Sequence, residues 1–274
     1  MRSGTAGTAP AWEGGAWGER AWCRLCPNPS PMTLDGTNTW VLREPGADVA
    51  VVVDPGPLDE GHLARVLHDV DAAGARVGLV LLTHHHADHA ESASRFAELT
   101  GAPVRAAGRG HDDLADGEVM VVGGLELLVV ATPGHTADSV SLLLPREQVM
   151  LTGDTVLGRG TTVVAHPDGE LAAYLASLER LSRLTGSGQV TSIAPGHGPV
   201  VPDAEGTVRY YLEHRRERLA QVREAVRGVG DVPREAGEDL ADLVVRTVYA
   251  DVPREVWPAA RLSVLAQLAY LDEG

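Results

Sequence analysis

The 274 residues suffice for one large domain, or for a domain with an appendage. At 44% hydrophobic but only 4% aromatic, any core must be built from Val, Leu and Ala, and a net charge of -15 argues against a broad phosphate-binding surface. No apolar run reaches the roughly 20 residues of a membrane helix.

Two cysteines cannot supply a disulfide framework, which makes a cytoplasmic protein the expectation. All 23 basic residues are arginine, which together with the Ala and Gly richness resembles high-GC bacterial coding.

Residues 1 to 20 carry Gly, Ala, Thr and Trp without period and lack the basic-then-apolar order of a signal peptide. A disordered or loosely docked tail is expected. Cys23-Arg-Leu-Cys26 has no second pair for a zinc ribbon and runs into Pro27, Pro29 and Pro31, so a structural role is expected. Thr37 to Leu42 and Asp48 to Val53 read as strands, the second stopped by Asp54-Pro55-Gly56-Pro57. Leu63, Val66, Leu67 and Val70 fall on one helical face. Val77 to Leu82 is a buried strand, followed by Thr83-His84-His85-His86-Ala87-Asp88-His89 and a helix from about His89 to Leu99.

A short strand is expected at Val104 to Ala107, and two β runs flank Gly123-Gly124 and end in Ala131-Thr132-Pro133-Gly134-His135. Val140 to Leu144 and Val149 to Leu151 are strands, the latter leading into Thr152-Gly153-Asp154. Leu171, Tyr174, Leu175, Leu178 and Leu181 mark a helix, and a strand at Val190 to Ala194 ends in Pro195-Gly196-His197-Gly198. Two face-to-face sheets with outer helices satisfy this order over residues 21–202. Residues 203–274 form a helical appendage: a long Arg/Glu-rich helix from Val208 to Val229, a loop with Pro233, and helices at Ala236 to Tyr249 and Val256 to Leu271.

The spacing His-x-His-x-Asp-His places far more imidazole and carboxylate in one turn than structure needs. If the loop leaves the strand near-extended, His84 and His86 point to one side. His135, Asp154 and His197 each follow a strand beside glycine, which lets backbone turn tightly near a metal. Seven N/O ligands are too many for one tetrahedral ion and suit two: His84, His86 and His135 for the first, Asp88, His89 and His197 for the second, and Asp154 as a bridge. With no cysteine nearby, two Zn²⁺ fit best, and Fe or Mn are compatible with the same donors. His85 is expected to point away; His68 and His111 to be solvated; and His214, Arg215, Arg216 and Arg218 to form a solvated helix face.

These motifs together resemble the metallo-β-lactamase fold superfamily. Asn28-Pro-Ser-Pro-Met-Thr-Leu-Asp-Gly-Thr-Asn-Thr39, Gly134-His-Thr-Ala-Asp-Ser139 and Tyr210-Tyr-Leu-Glu-His-Arg-Arg-Glu-Arg218 resemble its lactamase-beta-2-like hydrolases. The resemblance implies an α/β fold: a four-layer αββα sandwich with a C-terminal helical, incomplete winged-helix-like appendage, since the chain stops at Leu271-Asp-Glu-Gly274, where winged strands would follow.

Two such ions would make a bridging hydroxide the nucleophile, with Asp88 as the catalytic proton shuttle, and the helical tail is expected to cap the cleft with Asn38 and His166 at the substrate rim. β-Lactamases of this fold often use a cysteine ligand or lack the second histidine, so His89 disfavours antibiotic hydrolysis. The expected substrate is a small-molecule ester or acyl-thioester. Single-stranded RNA is the alternative, supported by the arginine helix and disfavoured by the net charge; a non-catalytic metal-binding scaffold is a third reading. No membrane partner is expected, and oligomeric state stays open.

Overall fold

The computed structural model describes residues 11–108, 110–228 and 239–272. Two sheets face one another. The first runs in chain order: β1 (Gly14–Trp17), β2 (Ala21–Leu25), β3 (Asn38–Leu42), β4 (Val49–Val53), β5 (Arg76–Leu81), β6 (Val104–Ala106) and β7 (Asp112–Asp113). The second holds β8 (Val119–Val122), β9 (Leu125–Ala131), β10 (Val140–Leu144), β11 (Val149–Gly153) and β12 (Ser192–Pro195), ordered β12-β11-β10-β9-β8.

Strands β4 to β7 are parallel to one another. Long parallel crossovers take helices: α1 (Glu60–Ala72) lies between β4 and β5, and α2 (Ala87–Ala90) and α3 (Ala93–Thr100) lie between β5 and β6. That explains why β4 and β5 are nearly continuous Val and Leu, since helices cover the face turned away from the second sheet. The parallel pair β11 and β12 is likewise joined through α4 (Leu171–Gly186). The expected single helix after His89 is instead two, α2 and α3.

Three apolar layers hold the sandwich. Leu42, Val53, Leu81, Leu127, Leu142 and Leu151 fill the space between the sheets. Val52, Leu63, Val66 and Phe96 pack α1 and α3 on the first sheet, and Met150, Tyr174, Leu178, Val208 and Tyr211 pack α4 and α5 (Ala204–Gly228) on the second. The result is the four-layer αββα order. The far half of α5 joins α6 (Leu240–Val248) and α7 (Trp257–Asp272) around Val222, Val244 and Val264. Ala266 of α7 also touches the sandwich cluster, so the appendage is seated on the main domain. Pro233 and the expected helix start at Ala236 lie outside the described residues. No helix among the described residues is long and apolar enough to cross a membrane.

The N-terminal expectation needs correction. Residues 11–20 are docked rather than loose: β1 pairs antiparallel with β2, Trp12 donates from Nε1 to Asn38 (2.8 Å) and Trp17 donates from Nε1 to Ser192 (3.2 Å). Two indoles supply apolar area and a polar anchor each, enough to hold a glycine-rich edge strand. Residues 1–10 lie outside the described residues. Cys23 and Cys26 are buried free thiols, in keeping with a structural role.

Candidate metal centre

The clustered side chains sit where strands end. Beyond β5, Thr83 is fixed by Asp54, which closes β4: Thr83 N donates to Asp54 Oδ1 (2.8 Å) and Thr83 Oγ1 to Asp54 Oδ2 (2.7 Å). His84 and His86 then reach one side, and α2 opens at Ala87, placing Asp88 and His89 in its first turn. His135 follows β9, Asp154 follows β11 and His197 follows β12. Tyr174 of α4 donates to Thr155 O (2.6 Å) and Tyr211 of α5 accepts from Leu157 N (2.9 Å), so the two helices brace the loop after Asp154.

Two groups form. His84 Nε2 and His135 Nε2 each lie 3.0 Å from His86 Nδ1. Beside them, His197 Nε2 lies 3.2 Å from His89 Nε2 and 3.1 Å from Asp88 Oδ2. Asp154 stands between the groups, with Oδ1 3.4 Å from His89 Nε2, and Oδ2 3.3 Å from His197 Nε2 and 3.8 Å from His135 Nε2. All seven side chains that the spacing singled out thus converge.

The outer partners fix which ring nitrogens face inward. His135 Nδ1 donates to Val163 O (2.8 Å), and His197 Nδ1 to Gly36 O (3.2 Å). His89 Nδ1 donates to Asp54 Oδ2 (2.9 Å). Thr83 spends its hydroxyl proton on Asp54, so its oxygen accepts from His84 Nδ1 (3.0 Å). In each neutral ring the remaining Nε2 therefore carries a lone pair aimed into the cluster. Lone pairs meeting at about 3 Å repel unless a cation or proton lies between them. That spacing is also close to the tetrahedral edge, about 3.3 Å, set by metal–nitrogen bonds of about 2.0 Å. Asp154 Oδ1 is buried without a hydrogen-bond partner, a further lone pair awaiting positive charge. The residues present fit a metal ion, and the His/Asp groups are suited to holding one.

Electrostatics separates the groups. Burial depresses His84 well below the ordinary imidazole value, lowers His135 and takes His86 to about 4. Burial, the largest single influence, opposes charge on His89 and His197, but Asp154 together with Asp54 at His89 and Asp88 at His197 outweighs it. His89 rises well above the ordinary value and His197 rises to about 9. Burial would raise Asp88, yet its hydrogen bond with His197 and the nearby His89 hold it below the usual carboxylate range. Two glycines make the close approach possible. A Cβ on Gly134, at φ 130, would lie 2.3 Å from the Tyr174 backbone, and one on Gly196 would lie 2.5 Å from Asp154 Oδ1.

Other expected site residues fare differently. Asn38 is not at a rim. It is fully buried, donating from Nδ2 to Pro195 O (2.9 Å) and Gly198 O (2.8 Å) while Oδ1 accepts from Trp12, so it ties β3 to the turn bearing His197. His166 is exposed and lines a cavity of about 270 Å³ with Ala137, Asp168 and Tyr270, whose walls include none of the clustered side chains. His85 turns away, with Nδ1 2.9 Å from Asp138 Oδ1 and Nε2 3.5 Å from Asp168 Oδ2. Arg215 is no solvated surface residue: it is buried over the Tyr174 ring and donates to Thr162 O. Sequence reading missed Asp54; its place at the head of the Asp-Pro-Gly-Pro turn was the available signal, and the structure holds it at a constrained φ of 52.

Comparison with known proteins agrees with this geometry. The sequence pattern of the metallo-beta-lactamase superfamily matches residues 32–119 and 106–197, and that of the beta-lactamase associated winged helix domain matches residues 241–273. A beta-lactamase-like protein 2 homolog of Caenorhabditis elegans is 34% identical, covering 87% of this chain and 78% of its own. An atrochrysone carboxyl ACP thioesterase of Aspergillus chevalieri is 31% identical, covering 85% and 74%. Among solved structures, a beta-lactamase domain protein from Burkholderia ambifaria shares the fold with a TM-score of 0.75 at 23% identity, over 97% of this chain and 91% of that one. The αββα sandwich, its strand-end His/Asp clusters and these matches show that the chain belongs to the metallo-beta-lactamase superfamily of hydrolases, with an associated winged-helix domain at its C-terminal end.

Proposed function

We propose that the protein is a dinuclear metal-dependent thioesterase, holding two Zn²⁺ ions and hydrolysing an ester or acyl-thioester of a small molecule. The observation that carries this reading is the set of inward-facing Nε2 atoms on His84, His135, His89 and His197, whose outer nitrogens are held by Thr83, Val163, Asp54 and Gly36. His84, His86 and His135 would hold one ion, Asp88, His89 and His197 the other, with Asp154 shared. When bound, the ions supply a water acidified toward neutrality and an electrophile for the scissile carbonyl. The thioesterase name of the Aspergillus relative supports the choice of thioester.

The chain's own groups do the rest. The Asp88 side chain is 30% exposed and held ionised, so it can face both water and substrate, take a proton from the attacking water and deliver it to the leaving sulfur. The outer carbonyls and Asp54 keep the imidazoles from rotating, so little reorganisation is left for the reaction. No serine or cysteine nucleophile is required, and both cysteines are buried.

A substrate panel tests the reading: the zinc-loaded protein is assayed on acyl-thioesters, lactones, a cephalosporin and single-stranded RNA, with and without chelator. Thioester cleavage that ignores salt and stops with chelator is expected. Activity confined to RNA and falling steeply with salt would overturn it in favour of a nuclease, and full activity after metal removal would overturn it altogether.

A further inference from the structure

His197 is gripped from two sides. Its Nδ1 donates to Gly36 O (3.2 Å), and its own carbonyl accepts from Gly158 N (2.9 Å). Gly36 belongs to the loop between β2 and β3, and Gly158 to the loop after Asp154. The two loops close on the turn after His197: a Cβ placed on Gly198 would lie 3.1 Å from Leu34 Cδ1, 3.3 Å from Gly158 Cα and 3.5 Å from Arg159 N. The residues next to the gripping pair, Asp35 and Arg159, join in an ion pair of 2.6 Å. Asp35 precedes Gly36 and Arg159 follows Gly158, so the ion pair spans the turn and links the two jaws directly.

We infer that Asp35 and Arg159 are a pair of positioning residues, a clamp that holds His197 in line for the second metal ion. The inference rests on the dinuclear reading above. The Arg159 side chain is 47% exposed and that of Asp35 15%, and a pair with one partner in solvent adds little to global stability. The clamp therefore acts on one ligand rather than on the fold. The His84, His86 and His135 group is oriented by other partners: His135 by Val163 O, four residues beyond Arg159 on the same loop, and His84 through Thr83. Loosening the jaws should weaken one ion and spare the other.

The test is a Co²⁺ titration of the metal-free full-length protein against a competing chelator, resolving two binding steps. His84→Ala and His197→Ala identify which step belongs to which group. Asp35→Asn and Arg159→Gln are expected to weaken the His197 step by about 10-fold, the scale of an outer-partner change, with the His84 step and the thermal midpoint unchanged. The exchange Asp35→Arg with Arg159→Asp should recover much of the loss, which a merely structural role would not produce. If either single variant fails to fold, Arg159→Lys, which keeps the charge but not the planar fork, carries the test with an intermediate loss. Two wild-type steps with unchanged variants overturn the clamp alone, as does equal weakening of both steps. Fewer than two steps in the wild type overturns the dinuclear reading as well.

Discussion

The two halves of the centre meet the same requirement in opposite ways. His84, His86 and His135 are imidazoles that burial keeps neutral, so their lone pairs stand ready. His89 and His197 are also buried, yet Asp154, Asp54 and Asp88 push them above the ordinary imidazole value. A cradle made only of imidazole is preformed for a cation. One mixed with carboxylate substitutes protons for the missing charge and must release them on loading. Position relative to Asp154 and Asp54, not residue type, sets the difference.

That contrast can be broken at its shared member. Asp154→Ala removes the carboxylate between the groups and should cost both binding steps and more than the roughly 100-fold ceiling of outer-partner changes in turnover, read by metal stoichiometry and kcat/KM.

Acidity sharpens it next. Asp154 and Asp88 raise His197 to about 9, so below that value an incoming ion must displace a proton. Lowering the pH from 8 to 6 raises the proton concentration, and the second step should weaken by about tenfold per unit for each displaced proton. The first step should stay flat over that range, because its imidazoles are already neutral and His86 protonates only near 4. Calorimetry in buffers of different ionisation heat would count the released protons.

Asp54→Asn should blur the distinction, since Asp54 orients His89 directly and His84 through Thr83. A loss of about 10-fold or more in both steps is expected. The smallest effect on the centre is expected from Asn38→Ala. It strands Trp12 Nε1 and the Gly198 carbonyl, while Pro195 O keeps Trp40 Nε1 (3.0 Å). The cost is about 2 kcal/mol in urea unfolding, and only the His197 step shifts, by a few-fold.

Sequence made much of this visible because strands β4, β5, β10 and β11 are mostly Val and Leu, and the ligands follow β5, β9, β11 and β12, with glycines beside His135, Asp154 and His197. What it hid depended on partners far along the chain. Trp17, in a glycine-rich stretch without period, is anchored by Ser192. Asn38 looked like a polar residue at a strand start, but Pro195, Gly198 and Trp12 bury and satisfy it. Arg215 read as one of several helix charges until Thr162 and Tyr174 enclosed it. Asp54 read as a strand terminator, and only its contacts with Thr83 and His89 show it to be the outer support of both groups.

The most direct measurement is anomalous diffraction at the zinc edge from crystals of the zinc-loaded protein. Two peaks per chain are expected, one enclosed by His84, His86 and His135, the other by Asp88, His89 and His197, with Asp154 reaching both. A single peak, or peaks away from Asp154, would contradict the paired centre on which the proposed hydrolysis depends.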